Sequence, residues 1–267
     1  MTRSLQNKVA VVTGAGSGIG RALARDLALR GCRLALSDVD AIGLQETAEL
    51  CGPAEVKTYR LDVANRDAIY AHAEEVAGTF GAVNLVFNNA GVALSASVLE
   101  TTDEDFHWVM DIDFWGVVNG TRAFLPHLIA SGDGYLVNIS SVFGLIGVPK
   151  QSAYNAAKFA VRGFTESLRQ EMLLEKRPVK VSCVHPGGIR TNIALSARMG
   201  KSENFEAQRE GFDKLAVTTP GKAARTIIKG VIANTVDKEI QTHVAGGLHG
   251  EASNHSDTIV IDSRGTY

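Results

Sequence analysis

Seven residues, Gly14-Ala15-Gly16-Ser17-Gly18-Ile19-Gly20, restrict what this chain can fold into more than any other stretch. The run before them, Lys8–Thr13 (KVAVVT), is short and β-branched, and Ile19–Arg30 (IGRALARDLALR) carries apolar residues at helical spacing. The local order is strand, glycine turn, helix. Such a turn leaves the first N–H groups of the helix without intrahelical partners, which suits an anion. Gly14, Gly18 and Gly20 fall in a GxxxGxG pattern that allows a tight turn, admits a diphosphate close to the backbone and lets helix and strand pack closely. The spacing differs from the commoner GxGxxG fingerprint. Taken alone, a glycine-rich turn also fits plain loop chemistry.

The next strand favours the dinucleotide reading. Arg33–Asp38 (RLALSD) ends on a carboxylate 18 positions after Gly20, near the spacing at which an acid hydrogen-bonds an adenosine ribose. Asp38 is the candidate ribose ligand. A carboxylate there repels a 2′-phosphate, and neither Ser17 nor Val39 supplies a cation to attract one, which favours NAD over NADP. Arg21 and Arg25 suit the solvated face of the first helix, with a swing toward a phosphate as the alternative. Helices near Ile42–Leu50 and Arg66–Thr79 and strands near Val56–Leu61 and Val83–Phe87 continue the alternation. The fold class is therefore α/β: a Rossmann-like, doubly wound parallel sheet of about seven strands with helices on both faces. Ligands of such sheets lie at the carboxyl ends of the strands. Two of those ends carry Asp62-Val63 and Asn88-Asn89-Ala90-Gly91. The acid can accept from an adenine amino group and an asparagine can hold backbone near a cofactor, although turn chemistry explains each residue singly.

A helical region runs from about Asp103 to Ala130, and Asp113 is the odd member of a largely apolar face that includes Val109, Met110, Phe114 and Val117. Such an acid is either locally paired or functional. After a fifth strand, Tyr135–Ser140, comes Ser141–Lys158 (SVFGLIGVPKQSAYNAAK). Tyr154 and Lys158 lie four apart in a run whose composition favours helix, so they share one face. A fixed cation favours the ionised form of a phenol and lowers its ordinary pKa of about 10. The pair alone is weak evidence, because Tyr and Lys recur at this spacing on many solvated faces. A sixth strand, Val179–Val184, ends at His185-Pro186-Gly187-Gly188-Ile189-Arg190-Thr191, a loop where a cofactor would lie. His185 reads as a histidine closing a strand, since no carboxylate stands near it in sequence.

Residues 192–215 are expected to form a flap, with Ile193, Leu195, Met199, Phe205 and Phe212 as its apolar contacts or as core. A final helix fits Pro220–Ile232, and Glu239–Val244 is a candidate seventh strand. The TIVID run near the end either adds an edge strand or contacts a partner. His243, His249 and His255 recur every six residues, which matches neither helical nor usual metal-ligand spacing, so no metal is expected. The expected organisation is one catalytic domain over 1–245 and an atypical tail over 246–267.

A chain of 267 residues with 45% apolar residues can bury a sizeable core. Its net charge of −2 comes from interleaved acids and bases, which leaves no basic stripe for nucleic acid. The first residues, MTRSLQNK, are polar, and no apolar run reaches membrane-spanning length. The cytoplasm is the expected location. Cys32, Cys51 and Cys183 are scattered and odd in number, which fits reduced structural thiols.

With TGAGSGIG, LDV, NNAG, SSVFG, YNAAK and HPGGIRT in this order, the chain resembles the short-chain dehydrogenase/reductase family in its compact single-domain form, over roughly Leu5–Ile232. The resemblance implies that Gly14, Ser17, Gly18, Ile19 and Gly20 hold the diphosphate, Asp38 the ribose, and Asp62 and Val63 the adenine. Asn89, Ala90 and Gly91 would support the cofactor site, and Pro186, Gly187, Ile189 and Thr191 would hold the nicotinamide carboxamide. Tyr154, Lys158 and Ser141 match the family's catalytic tyrosine, lysine and serine. The family usually carries an asparagine in a VNxxG-like sequence where this chain has DIDFWG with Asp113, so Asp113 either substitutes without loss or pairs with Lys158. Members are commonly dimers or tetramers, and a homodimer or homotetramer is the expectation here.

The function so implied is NAD-dependent interconversion of a secondary alcohol and a ketone, on a small apolar substrate contacted by Phe143, Val148 and Ile193. An NADPH-dependent carbonyl reductase is the first alternative, and a dinucleotide-binding protein without turnover is the second.

Overall fold

Every residue of the strand that leads into the glycine turn is buried, as a strand covered on both faces requires. The computed structural model describes residues 3–206, 209–210, 216–233 and 258–261. Its first half alternates β1 (Val9–Thr13), α1 (Gly18–Leu29), β2 (Arg33–Asp38), α2 (Ala41–Leu50), β3 (Val56–Arg60), α3 (Arg66–Phe80) and β4 (Leu85–Asn88). Then come β5 (Leu94–Ser95), α4 (Asp103–Met110), α5 (Gly116–Ala130), β6 (Gly134–Ile139) and α6 (Ser152–Leu174). The last elements are β7 (Val179–Pro186), β8 (Arg198–Met199), α7 (Pro220–Ala233) and β9 (Thr258–Ile261).

Seven strands form one parallel sheet in the order β3-β2-β1-β4-β6-β7-β9. The chain winds outward from β1 to β3 and then returns to β4 on the other side of β1. That reversal opens a crevice at the carboxyl ends of β1 and β4, where ligands of such sheets bind. Side chains of β1 alternate between two cores. Ala10 and Val12 pack with Leu23, Leu27 and Leu44 and with Ile227 and Val231 of α7, whereas Val9 and Val11 pack with Ile69, Val76, Phe124, Leu128 and Leu168. Side chains supply the helix starts too: Asp40 accepts from the Ile42 N–H, Asn65 from Ala68 and Thr102 from Asp105.

Two features differ from the sequence reading, and a third decides between its alternatives. The expected single helix over Asp103–Ala130 is interrupted between α4 and α5 by a π-helical turn, Asp111–Trp115. The TIVID run is realised as an edge strand, β9, whose residues pair with Cys183–Pro186 of β7. A separate two-stranded ladder, β5 with β8, pins the start of the flap to the loop after β4. The candidate strand Glu239–Val244, the flap residue Phe212 and the three tail histidines lie outside the described residues. Among the described residues no helix is long and apolar enough to cross a membrane. Cys32, Cys51 and Cys183 are buried and unpaired, and burial pushes their thiols up to about 12, 11 and 12.

His72 of α3 is 5% exposed and lies edge-on to Tyr59 and Phe124, with centroids 4.5 and 5.7 Å away. Neither ring nitrogen has a hydrogen-bond partner, and burial pulls its pKa down to about 4. The unfolded chain, with an ordinary histidine near 6.5, therefore takes up the proton first as the pH falls. Stability present above pH 6.5 is lost between 6.5 and 4, by about 2 kcal/mol at pH 5. Urea unfolding at pH 7.5 and pH 5 should show this loss, and His72→Leu should reduce it by about that amount.

Candidate active site

The glycine turn is shaped by what surrounds it. Gly14 and Gly18 have φ of 65° and 53°, in the left-handed region that favours glycine. A Cβ on Gly14 would stand 2.7 Å from Ala90 Cα, and one on Gly20 would collide with the carbonyl of Gly14. Asn89 donates to the carbonyls of Thr13 and Gly14 at 2.9 and 3.2 Å. The Thr13 hydroxyl accepts from the N–H groups of Asn89 and Ala90 at 3.0 and 3.1 Å. The NNAG segment thus clamps the turn. Ser17 precedes α1 in extended conformation and makes no capping bond, so its hydroxyl is uncommitted to the helix start. Ile19 packs beside the core.

Asp38 accepts from the Gly16 N–H at 2.7 Å and from the Asp40 N–H at 3.0 Å. The candidate ribose ligand is therefore also a strut of the turn. Asp62 accepts from Ala64 N–H at 2.9 Å, which is turn chemistry, and Val63 is buried against Gly116, where a Cβ would meet it at 2.9 Å. The loop after β7 folds back: Thr191 Cγ2 lies 3.2 Å from where a Cβ on Gly18 would be. Ile189 is buried in the same loop, beside Pro186 and Gly187.

Ser141, Tyr154 and Lys158 come together beside this crevice. Ser141 lies close enough to Tyr154 to pull the phenol's pKa down, and Ser141 Oγ accepts from the Phe143 N–H at 3.1 Å. Lys158 Nζ stands 5.5 Å from the centre of the Tyr154 ring. It donates to the Ile139 carbonyl at 3.3 Å and meets Asp113 Oδ2 at 3.1 Å. The other oxygen of Asp113 accepts from the Val92 N–H at 2.7 Å. The acid is paired, and its partner is Lys158. Phe143 stacks edge-on against Tyr154 at 6.2 Å. Val148 and Ile193 are half-buried in the neighbouring segments, with no described contact that ties either to the phenol.

The ion pair changes the expected electrostatics. Burial pushes the Tyr154 pKa up; Lys158 pulls it down, Asp113 pushes it up again, and Ser141 pulls it down. The net direction is upward, not downward as the Tyr154–Lys158 pair alone predicts. Burial lowers the Lys158 pKa, but Asp113 and Tyr154 together carry it above the ordinary value. Burial raises the Asp113 carboxyl, opposed by Lys158 and the Val92 N–H.

Supporting residues surround these groups, and of them Ser140, Asn138, Asn155 and Thr165 carried no signal in the sequence reading. Asn155 donates to the carbonyls of Phe143 and Ile146 at 2.6 and 2.7 Å and accepts from the Val148 N–H at 3.1 Å, so it braces the loop between serine and tyrosine. Ser140 Oγ donates to the Lys158 carbonyl at 2.8 Å. Asn88 donates to Asn138 at 2.9 Å, and Asn138 to Thr165 at 3.0 Å, which ties β4, β6 and α6 together. His185 is fully buried with Nδ1 at 2.8 Å from the Ser141 carbonyl. A carbonyl only accepts, so Nδ1 carries the proton. Burial lowers this histidine to about 4, in keeping with a strand-closing role.

A family model described as short chain dehydrogenase matches residues 8–202. The chain belongs to that family. As a short chain dehydrogenase it is an NAD(P)-dependent oxidoreductase. It is 56% identical over 252 residues to SadH of Mycobacterium tuberculosis, an oxidoreductase by name, covering 93% of this chain and 89% of that one. It is 34% identical over 233 residues to dehydrogenase/reductase SDR family member 7B of Mus musculus, covering 85% and 70%. Among solved structures, a short chain dehydrogenase/reductase from Burkholderia phymatum in complex with NAD superposes with a TM-score of 0.81 at 32% identity, covering 86% of this chain and 87% of that one. Levodione reductase superposes at 0.79 with 27% identity, covering 97% of both.

Within this short chain dehydrogenase, Asp113→Asn keeps an acceptor for Val92 but removes the charge that raises the phenol. The phenolate absorbance of Tyr154, isolated by difference from Tyr154→Phe, should then rise at lower pH than in the parent. An unmoved titration would mean that the carboxylate's charge does not reach the phenol.

Proposed function

We propose that this short chain dehydrogenase interconverts a secondary alcohol and a ketone with NAD, using Ser141, Tyr154 and Lys158. The observation that carries the reading is the convergence of these three side chains beside a glycine turn that has no room for any Cβ at Gly14 or Gly20. The turn fits a dinucleotide: Gly14, Ser17, Gly18, Ile19 and Gly20 would receive the diphosphate, Asp38 the ribose, and Asp62 and Val63 the adenine. Asn89, Ala90 and Gly91 would back the cofactor, and Pro186, Gly187, Ile189 and Thr191 would hold its nicotinamide end. When bound, the dinucleotide supplies hydride exchange.

The chain's own residues handle the proton. Ser141 Oγ orients the substrate oxygen, and Tyr154 gives a proton to a carbonyl oxygen or takes one from an alcohol. Burial pushes the phenol's pKa up, and the same group is the acid toward a ketone and the base toward an alcohol. Lys158 holds a positive charge by the phenol and Asp113 balances it, so Asp113 acts through Lys158. Phe143, Val148 and Ile193 would present an apolar wall to a small alcohol or ketone. Exposed Phe106, Trp115 and Phe159 on the helices around the site support association into a homodimer or homotetramer. Three buried thiols suit a reducing compartment, the cytoplasm.

NAD is preferred over NADP because Asp38 occupies the ribose position and Arg21 is committed elsewhere. Its guanidinium binds Thr47 at 2.9 Å, the carbonyls of Gly16 and Gly43, and Glu46 at 2.8 Å. Two measurements test the proposal. Tyr154→Phe should keep NADH binding while turnover on secondary alcohols falls by roughly 10²- to 10⁴-fold, the usual share of a positioned acid or base; retained turnover removes Tyr154 from the mechanism. Fluorescence titration should show NADH binding at least tenfold more tightly than NADPH, and the reverse order would overturn the Asp38 assignment.

A further inference from the structure

A cavity of about 400 Å³ opens between α1 and α7, bordered by Gly18 and Thr191 and by the arginines 21, 25, 190 and 225. Among the described residues its charges do not balance. Arg21 is paired with Glu46 at 2.8 Å, and Asp26, the acid of the lining, is paired with Arg30 at 2.9 Å. Arg25, Arg190 and Arg225 remain exposed, and none has a carboxylate within salt-bridge distance among the described residues. Arg190 spends only Nε, on the Ala216 carbonyl at 2.8 Å, which fixes the direction of its guanidinium.

The start of α7 adds a donor. The carbonyl of Thr219 accepts from the N–H groups of Lys222 and Ala223, whereas the N–H of Gly221 has no described partner. Gly221 borders the cavity at the positive end of a helix of 14 residues. Three guanidinium forks and a free helix N–H around a concavity of small-ligand size suit an oxyanion with several negative charges.

We propose that this cavity is a second anion site, which takes a small molecule bearing a diphosphate while the dinucleotide site is filled. The two possible sources of that chemistry are the cofactor's own diphosphate and a separate ligand. Arg25 lies seven residues beyond Gly18 on α1, about 10 Å along the helix axis, so a diphosphate seated on the glycine turn would be reached only by a fully extended Arg25 side chain. The second source is therefore favoured. The site goes beyond the proposed hydride transfer and does not require it.

Inorganic pyrophosphate is titrated calorimetrically into protein saturated with NADH, at low salt. One saturable site with sub-millimolar Kd is expected, weakened at least tenfold in Arg25→Ala/Arg225→Ala and unchanged in Arg122→Ala, an exposed arginine remote from the cavity. Equal affinity in the double variant, equal weakening in Arg122→Ala, or binding that never saturates would overturn the proposal. So would displacement of NADH by pyrophosphate, or loss of NADH affinity in the double variant, since either assigns these arginines to the cofactor. Failure of NADH itself to bind to the parent protein would count against the hydride-transfer reading instead. In that case the comparison of parent and double variant with pyrophosphate alone still decides the cavity.

Discussion

Lys158 is 3% exposed and Asp113 is not exposed at all, and two charges taken that far from water persist only when each neutralises the other. Their pairing places demands on the surrounding chain. Asp113 sits in the π-helical turn between α4 and α5, a kind of bulge found often at functional sites. Lys158 comes from α6, and the backbone of Val92 supplies the second partner. Gly91 completes the arrangement: a Cβ there would lie 3.4 Å from both Asp113 Oδ1 and Lys158 Nζ. The last glycine of NNAG thus borders the ion pair, while Asn89 is explained by the glycine turn.

The two halves of the site are joined through this segment. Thr13 and Asn89 bind each other's backbones across β1 and β4, the strands that flank the topological switch. Asn88, one residue earlier, points the other way into a buried polar chain through Asn138 to Thr165. Buried amides left half-satisfied are expensive, so a network with this many partners favours a single arrangement of β4, β6 and α6. The turn that would receive phosphates and the helix that carries Tyr154 and Lys158 are in this way set in one frame.

Much of this was legible in the sequence because local chemistry announces it. The Lys8–Arg30 stretch reads as strand, turn and helix from glycine spacing and periodicity alone, and the alternation to β7 follows from the same two periods. Tyr154, Lys158 and Ser141 were legible as a set only in company, since a four-residue spacing is common on helices. The sign of the Tyr154 shift was not legible: it depends on Asp113, brought to Lys158 across 45 positions of chain by tertiary packing. The π-helical turn was equally hidden, because DIDFW has no marker that distinguishes it from a continuing α-helix. Asn155 lies inside YNAAK without a marker of its own, and only the loop folded over it reveals its three hydrogen bonds. The strand at TIVID was visible as a β-branched run, but its partner could not be read, because pairing with β7 is set by the whole sheet.

Precision at the site follows from how the reacting groups are suspended. Ser141 hangs from β6 at one end; its carbonyl accepts from His185 of β7 and from the Gly144 N–H at 2.8 Å. The residue before it, Ser140, binds the backbone of Lys158, and a Cβ on Gly144 would meet that same carbonyl at 2.7 Å. Asn155, next to Tyr154, holds the loop that follows Ser141. Each of the three candidate residues is therefore tied to the backbone carrying another, so none can shift by an ångström without displacing the rest. Proton transfer rewards such a unit, because misplacement by that distance can lower a rate by roughly 10²-fold. The supporting bonds hold Phe143 and Val148 by their backbones and make no use of the side chains of Phe143, Val148 and Ile193. Those positions can vary in shape without loosening the serine, the tyrosine or the lysine, which separates the choice of substrate from the conduct of the proton.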